Sequence, residues 1–220
     1  MTLIKSISGI RGTIGGSASD NLTPLDIVRF TSAYAQWLMT HNSGGLSVVT
    51  GRDARISGQM AHQLVNQTLI GMGIDVIDLG LSTTPTVAVA VPWEKAQGGI
   101  ILTASHNPKQ WNALKLLNEK GEFINAEAGA QVLHYAEQEA FQYAEVDALG
   151  KWHPRTDAIQ KHITATLAMD TVDVAGIKKE KFKVVVDAVN SSGGIAIPQL
   201  LAALNVEVVE IHCTPNGHFP

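Results

Sequence analysis

Gly99-Ile100-Ile101-Leu102-Thr103 runs directly into Ala104-Ser105-His106-Asn107-Pro108. The first segment is an apolar run without polar alternation, as in a strand buried on both faces of a parallel sheet. Pro108 disfavours the helical region for Asn107, so the chain after Ser105 is held turned or extended. Ser105 and His106 are thereby presented at a loop mouth, where a nucleophile or a phosphate carrier belongs. Ser, His and Asn are also ordinary turn residues, so this loop alone leaves the chemistry open.

On the N-terminal side, Thr23-Pro24-Leu25-Asp26 carries a helix start: Thr23 caps, Pro24 suits the first helical position, and Asp26 complements the positive helix end. This helix is expected to reach about Met39. A β-branched strand, Leu46 to Thr50, ends in the loop Gly51-Arg52-Asp53-Ala54-Arg55. Met60, Leu64, Leu69 and Met72 mark a helix, and Ile74 to Leu79 a strand. Ser82-Thr83-Thr84-Pro85 opens a further helix that leads back to the Gly99 strand.

Strands alternating with helices predict an α/β fold, a mixed, mainly parallel sheet sandwiched by helices, with ligand loops at the carboxyl ends of its strands. Arg52 and Ser105 both fall on such loops. Leu114 to Leu117 and Glu122 to Ile124, joined by Asn118-Glu119-Lys120-Gly121, read as a hairpin with Gly121 at positive φ. Ala126 to Ala140 reads as a helix. Tyr143 to Pro154, with Gly150 and Pro154, is the expected boundary, dividing 1–150 from 151–220. Beyond it, a helix (Arg155 to Met169), a strand (Lys183 to Val189), a helix (Ile195 to Leu204) and a strand (Val206 to Ile211) make a second, incomplete βαβ-type domain. Its turn, Asn190-Ser191-Ser192-Gly193-Gly194, is small enough for an anion to approach backbone N–H groups.

Composition narrows the function. With 45% hydrophobic and 16% charged residues, the 220-residue chain has material for a sizeable core rather than a disordered coil. A formal net charge of −4 argues against a nucleic-acid or anionic-membrane surface, so any bound anion must be met by local cations. Cys213 is the only cysteine, which rules out an internal disulfide and a Cys-rich zinc site. No run of about 18 apolar residues occurs, and the chain reads as cytoplasmic. His62, His134 and His162 lie on predicted helices and read as packing or surface residues.

Four segments, Gly9-Ile10-Arg11-Gly12, Gly51-Arg52-Asp53-Ala54-Arg55, the Ser105 loop, and Asn112-Ala113-Leu114-Lys115, are singled out by their resemblance to the pattern of the α-D-phosphohexomutases, which implies a phosphoserine. Taken singly, each of the first two reads as a Gly-flanked Arg in a turn. A phosphoserine carries nearly two negative charges and three acceptor oxygens, so it demands cations and donors. Arg11, Arg52, His106 and Lys115 are the candidates. Arg binds phosphate oxygens in a fork, whereas Lys is a point charge whose pKa shifts on burial, which makes Lys115 the better proton-transfer group. A serine hydrolase is disfavoured, because no Gly-x-Ser-x-Gly elbow occurs and adjacent Ser105 and His106 side chains diverge. A P-loop kinase lacks its Gly-x-x-x-x-Gly-Lys-Ser/Thr segment.

In order and spacing, the four segments resemble the α-D-phosphohexomutases. The resemblance implies that Ser105 is phosphorylated in the resting enzyme, gives its phosphoryl group to a hexose monophosphate, and recovers one from the other oxygen of a bisphosphate. It implies a phosphoserine oxygen of Ser105 on Mg²⁺, with Arg11, His106 and Lys115 around that phosphate or assisting proton transfer. Arg52 and Arg55 are expected to organise the loop or touch the phosphate, with Asp53 as their partner. The chain departs from the family at Lys5-Ser6-Ile7, where Phe-Gly-Thr is usual, and at Ala113, where glycine is usual. It also lacks the acidic Asp-Gly-Asp-x-Asp-Arg metal loop, which Asp170-Thr171-Val172-Asp173 does not match. It therefore reads as a first domain and much of a second, expected to be inactive alone. The rival expectation is a non-catalytic module that binds phosphate or sugar phosphate.

Overall fold

Neighbouring residues of a strand point to opposite faces, so the apolar pairs Val48–Val49, Ile100–Ile101 and Leu116–Leu117 demand a sheet covered on both sides. The computed structural model, which describes residues 1–6 and 9–220, provides both covers. Its first elements are β1 (Ile4–Ser6), β2 (Gly9–Thr13), α1 (Pro24–His41), β3 (Ser47–Arg52), α2 (Gly58–Gly71), β4 (Asp75–Leu81), α3 (Thr84–Trp93), β5 (Gly98–Leu102), β6 (Trp111–Leu117) and α4 (Ala126–Gln138). Then come β7 (Trp152–Pro154), α5 (Ala158–Leu167), α6 (Val174–Lys179), β8 (Lys183–Asp187), α7 (Gly193–Ala203) and β9 (Glu207–Ile211).

The first sheet has the order β1-β2-β6-β5-β3-β4-β7. Strands β5, β3, β4 and β7 run parallel, while β1, β2 and β6 join antiparallel. Val48, Ile100 and Leu116 enter one core with residues of α1, α2 and α4, and Val49, Ile101 and Leu117 enter a second with residues of α3 and Ala158 of α5. Buried Tyr34 of α1 ties the layers together by donating to the Leu117 carbonyl at 2.6 Å. Burial pushes its phenol above the usual pKa.

Local chemistry starts the helices where expected. Thr23 and Asp26 go beyond a cap and a complementary charge to form a reciprocal capping box. Thr83 caps α3. Gly121 has φ +77°, and a Cβ there would meet the Ala88 carbonyl oxygen. Gly121→Ala is therefore expected to lower the unfolding free energy by about 1–3 kcal/mol, read as a reduced urea midpoint at unchanged slope.

The structure corrects several expectations. Gly9–Thr13 is a strand, not a turn, and its N–H and C=O groups are taken up by β1 and β6. Ile7, part of the Lys5-Ser6-Ile7 departure, lies outside the described residues. Arg52 ends β3 instead of lying on the following loop, because its register continues against Leu102 and Leu81. The expected return arm of the hairpin is a single bridge between Leu117 and Phe123, on the stretch of β6 past Leu114, where its pairing with β2 ends. Residues 152–154, beyond the expected break at 150, supply the edge strand of the first sheet, and Trp152 Nε1 donates to Asp78 there. α5 starts at Ala158 because the Arg155 N–H is taken by the Asp78 carbonyl. The six-residue α6 was not expected.

In the second unit, β8 and β9 pair in parallel through α7, and α5 packs against both α3 and α7. No helix among the described residues is long and apolar enough to cross a membrane.

Candidate active site

The carboxyl ends of β3 and β5 lie side by side, since Arg52 pairs with Leu102. The two loops that leave them are joined through Asp53. Its N–H donates to the Leu102 carbonyl, and its carboxylate accepts from Thr103 Oγ1 at 2.6 Å, Arg55 Nε at 3.2 Å and the Arg55 N–H at 3.0 Å.

Arg55 is the most informative side chain of the site. It is fully buried, at 1% exposure, an unusual place for a guanidinium. Its Nη2 donates to the carbonyls of Ser105 (2.7 Å) and Asn107 (2.8 Å), and its Nη1 to those of Pro108 (2.9 Å) and Trp111 (3.0 Å). Burial lowers its pKa and Asp53 opposes that, so the charge persists inside the protein. One cation thus satisfies three loop carbonyls and that of Trp111 at the start of β6. Of the two roles that the sequence leaves open to Arg55, loop organisation and phosphate contact, these donors, all committed to Asp53 and to backbone, fit the first.

The consequence falls on Ser105, whose φ is +54°. A non-glycine residue in this region costs of order 1–3 kcal/mol and persists only when its surroundings fix it. Arg55 holds the Ser105 carbonyl, and Thr103 Oγ1 accepts from the Ser105 N–H at 3.1 Å. Asn107 closes the turn with its N–H and Nδ2 both on the Ala104 carbonyl. Ser105 and His106 are exposed on this rigid frame.

They open on a cleft of about 470 Å³. Its walls include Thr83 and Pro85 at the start of α3, Ile101 and Thr103, and, from the second unit, Val189, Ser191 and Phe219. Val189 and Asn190 both have positive φ, at 46° and 55°. The Ser191 turn was singled out in the sequence as a possible anion approach. In the sequence Thr83 stands only within the helix-start signal Ser82-Thr83-Thr84-Pro85, and Phe219 carries no sign of a wall, because nothing local tells that they face Ser105.

Arg11 and Lys115 do not line the cleft, although they share its side of the sheet. Lys115 pairs with Ile101 and Arg11 with Ala113, whose carbonyl accepts from Thr103. At roughly 4.8 Å per strand, Arg11 stands about 10 Å across the sheet from Thr103. Arg11 is exposed, and Lys115 is half-buried with its ammonium 5.6 Å from the centre of the Phe123 ring. Burial lowers the Lys115 pKa and the Asp53 charge partly restores it. The residues thus form two groups: Ser105 and His106 at the cleft, Lys115 and Arg11 along the sheet.

Behind Arg52 lies a buried polar cluster. His62 Nε2 is 3.0 Å from Thr50 Oγ1 and 3.3 Å from Asp78 Oδ1, and Asn66 donates to Asp78 at 3.1 Å. His62 is a packing residue, as expected for a helical histidine. Burial holds its pKa below the usual 6.5 despite Asp78; burial acts likewise on His162, which contacts Thr86 at 2.9 Å. A depressed histidine binds a proton more readily in the unfolded chain, so stability is expected to fall as pH drops below about 6.5 towards the folded pKa. Denaturant midpoints between pH 8 and 5 check this, and His62→Gln should flatten the slope.

Mg²⁺ finds little here. Among the described residues no group of three His, Cys, Asp or Glu side chains is placed to hold a metal. Asp53, at the base of the loop, is already bonded to Arg55 and Thr103. Ser105 alone does not make a metal site, so these residues do not fit the ion by themselves.

Comparison with known proteins gives concordant matches. The family model described as phosphoglucomutase/phosphomannomutase, alpha/beta/alpha domain I, matches residues 3–143, and that for alpha/beta/alpha domain II matches residues 160–220. A phosphoglucomutase/phosphomannomutase of Thermococcus kodakarensis is 36% identical over 95% of this chain and 46% of its own length. A phosphoglucosamine/phosphogalactosamine mutase of Sulfurisphaera tokodaii is 29% identical over 93% of this chain and 43% of its own length. The crystal structure of a phosphoglucomutase/phosphomannomutase family protein from Burkholderia thailandensis superposes with a TM-score of 0.76 at 23% identity, over all of this chain and 46% of that one. The chain spans about half the length of the curated relatives it matches.

Proposed function

The chain belongs to the phosphoglucomutase/phosphomannomutase family, and on that premise we propose that it supplies the phosphoryl-carrying serine of an enzyme that interconverts hexose 1- and 6-phosphates. The observation that carries this reading is Ser105 itself: an exposed hydroxyl on a left-handed residue, fixed by a buried guanidinium, at the mouth of the cleft.

In the proposed reaction a free hydroxyl of a hexose monophosphate attacks the phosphorus on Ser105. The bond from phosphorus to Ser105 Oγ breaks, a new phosphate ester forms on the sugar, and the sugar hydroxyl gives up its proton. The sugar then reorients. Ser105 Oγ attacks the other phosphoryl group, that ester bond breaks, and the departing sugar oxygen takes a proton. The phosphoryl group has then moved between O1 and O6, and Ser105 is phosphorylated again.

Lys115, with its lowered pKa, is the proposed proton carrier, and the exposed donors of His106 and Arg11 are proposed to meet phosphate charge. His106 lies at the cleft, and bringing Lys115 and Arg11 to the phosphate requires the extension of these long side chains along the sheet face. The carboxylates for Mg²⁺ are proposed to come from the portion that the relatives have beyond the matched length. A coupled assay of hexose 1-phosphate to 6-phosphate conversion tests the reading. The longer enzyme containing this chain is expected to turn over and the 220-residue chain not to; absence of turnover in both would favour a binding module.

A further inference from the structure

The in-plane N–H groups of Arg55 serve Asp53 and four backbone carbonyls, which leaves the flat faces of the guanidinium. Phe219 covers one of them, with its ring centre 4.9 Å from the guanidinium carbon. Phe219 comes from the second unit, more than 100 residues from the loop that Arg55 organises.

The segment that bears Phe219 is docked closely. The Gly217 N–H donates to the Asn190 carbonyl at 3.0 Å, and Asn190 Nδ2 donates to the His218 carbonyl at 2.9 Å. Gly217 has φ +75°, and a Cβ there would collide with the Ala54 carbonyl oxygen. The Ala54 N–H in turn donates to Ser191 Oγ at 3.4 Å. The second unit therefore meets the 53–56 loop around the residue that fixes Ser105.

We infer that Phe219 is a positioning residue for the Ser105 loop, and that docking of the second unit is passed to the serine through the Arg55 guanidinium. A desolvated cation over an aromatic face is held electrostatically as well as by packing. Removing the ring admits water to the guanidinium, and water competes with the loop carbonyls for its N–H groups. Ser105, held at positive φ by those bonds, is then released. The kinetic side of this inference rests on the phosphoryl-carrier reading; the structural side does not.

The test is amide hydrogen exchange of residues 104–111 in the ligand-free chain. Phe219→Ala and Gly217→Ala are each expected to speed exchange in this loop roughly tenfold, with the amides of β3 and β4 unchanged. Phe219→Tyr, which keeps the ring, should exchange like the wild type. A Phe219 that merely lined the cleft would leave the loop unchanged in both disruptive variants, and that result overturns the inference. In the longer enzyme, Phe219→Ala is expected to lower kcat about tenfold with KM within twofold, while Phe219→Tyr restores kcat; an unchanged kcat contradicts the positioning role. Turnover that does not depend on Ser105 would sink the phosphoryl-carrier reading and leave the exchange result standing, so the two failures are distinct.

Discussion

Ser105→Ala, made in the longer enzyme, is expected to reduce mutase turnover by roughly 10⁴-fold or more while leaving the fold intact. The magnitude follows from the role: a group that forms and breaks the covalent bond in every cycle has no neighbour to replace it, and removal of such nucleophiles costs several orders of magnitude. The exposed His106 and the cleft hydroxyl of Thr83 lack the left-handed frame that presents Ser105. The fold should hardly notice the change, because the side chain is exposed and Arg55 and Thr103 bond to the Ser105 backbone, not to its hydroxyl. Removing an Oγ at positive φ leaves the backbone cost in place, so the unfolding free energy from urea denaturation is expected to stay within about 1 kcal/mol of wild type. The kinetic assay and the denaturation curve together separate lost chemistry from lost structure.

Arg55→Met is the substitution expected to cost most in stability, about 3–5 kcal/mol. Methionine fills much of the volume but leaves the Asp53 carboxylate without its cation and four carbonyls without their shared donor. Breaking one partner of a buried pair strands the other, which costs more than the pair contributes when intact. Arg55→Lys retains the charge but not the planar fork, so it should recover only part of the loss. The urea midpoint should fall in the order wild type, Lys, Met. Equal midpoints for all three would show that the loop holds itself.

The sheet's central strands were legible because their signals are local. The β3, β4 and β5 patterns are short apolar runs, and Thr23 and Thr83 announce their helices within four residues. The missed elements depend on partners far away in sequence. β1 and β2 carry no apolar period and exist as strands because β6 accepts β2 and β2 in turn accepts β1; the three residues of β7 are held by β4 and Asp78. The site divides in the same manner. The Ser105 loop could be read from its own residues and from the company of three other segments. The four carbonyls gathered by Arg55 could not, since backbone groups leave no trace in side-chain chemistry. One signal was present: an Arg two residues from an Asp just past a buried strand is a guanidinium with a partner at hand, and such pairs are the ones that tolerate burial. Phe219 gave no such signal, because an aromatic near a Pro reads the same in any loop.

Ser105 as the phosphoryl carrier is tested most directly by incubating the longer enzyme with a hexose 1,6-bisphosphate and mapping the modified residue by mass spectrometry. One phosphoryl group on Ser105, lost again on addition of a hexose monophosphate and absent in Ser105→Ala, is the predicted result. A label on another residue, or turnover with Ser105 unmodified throughout, would contradict it.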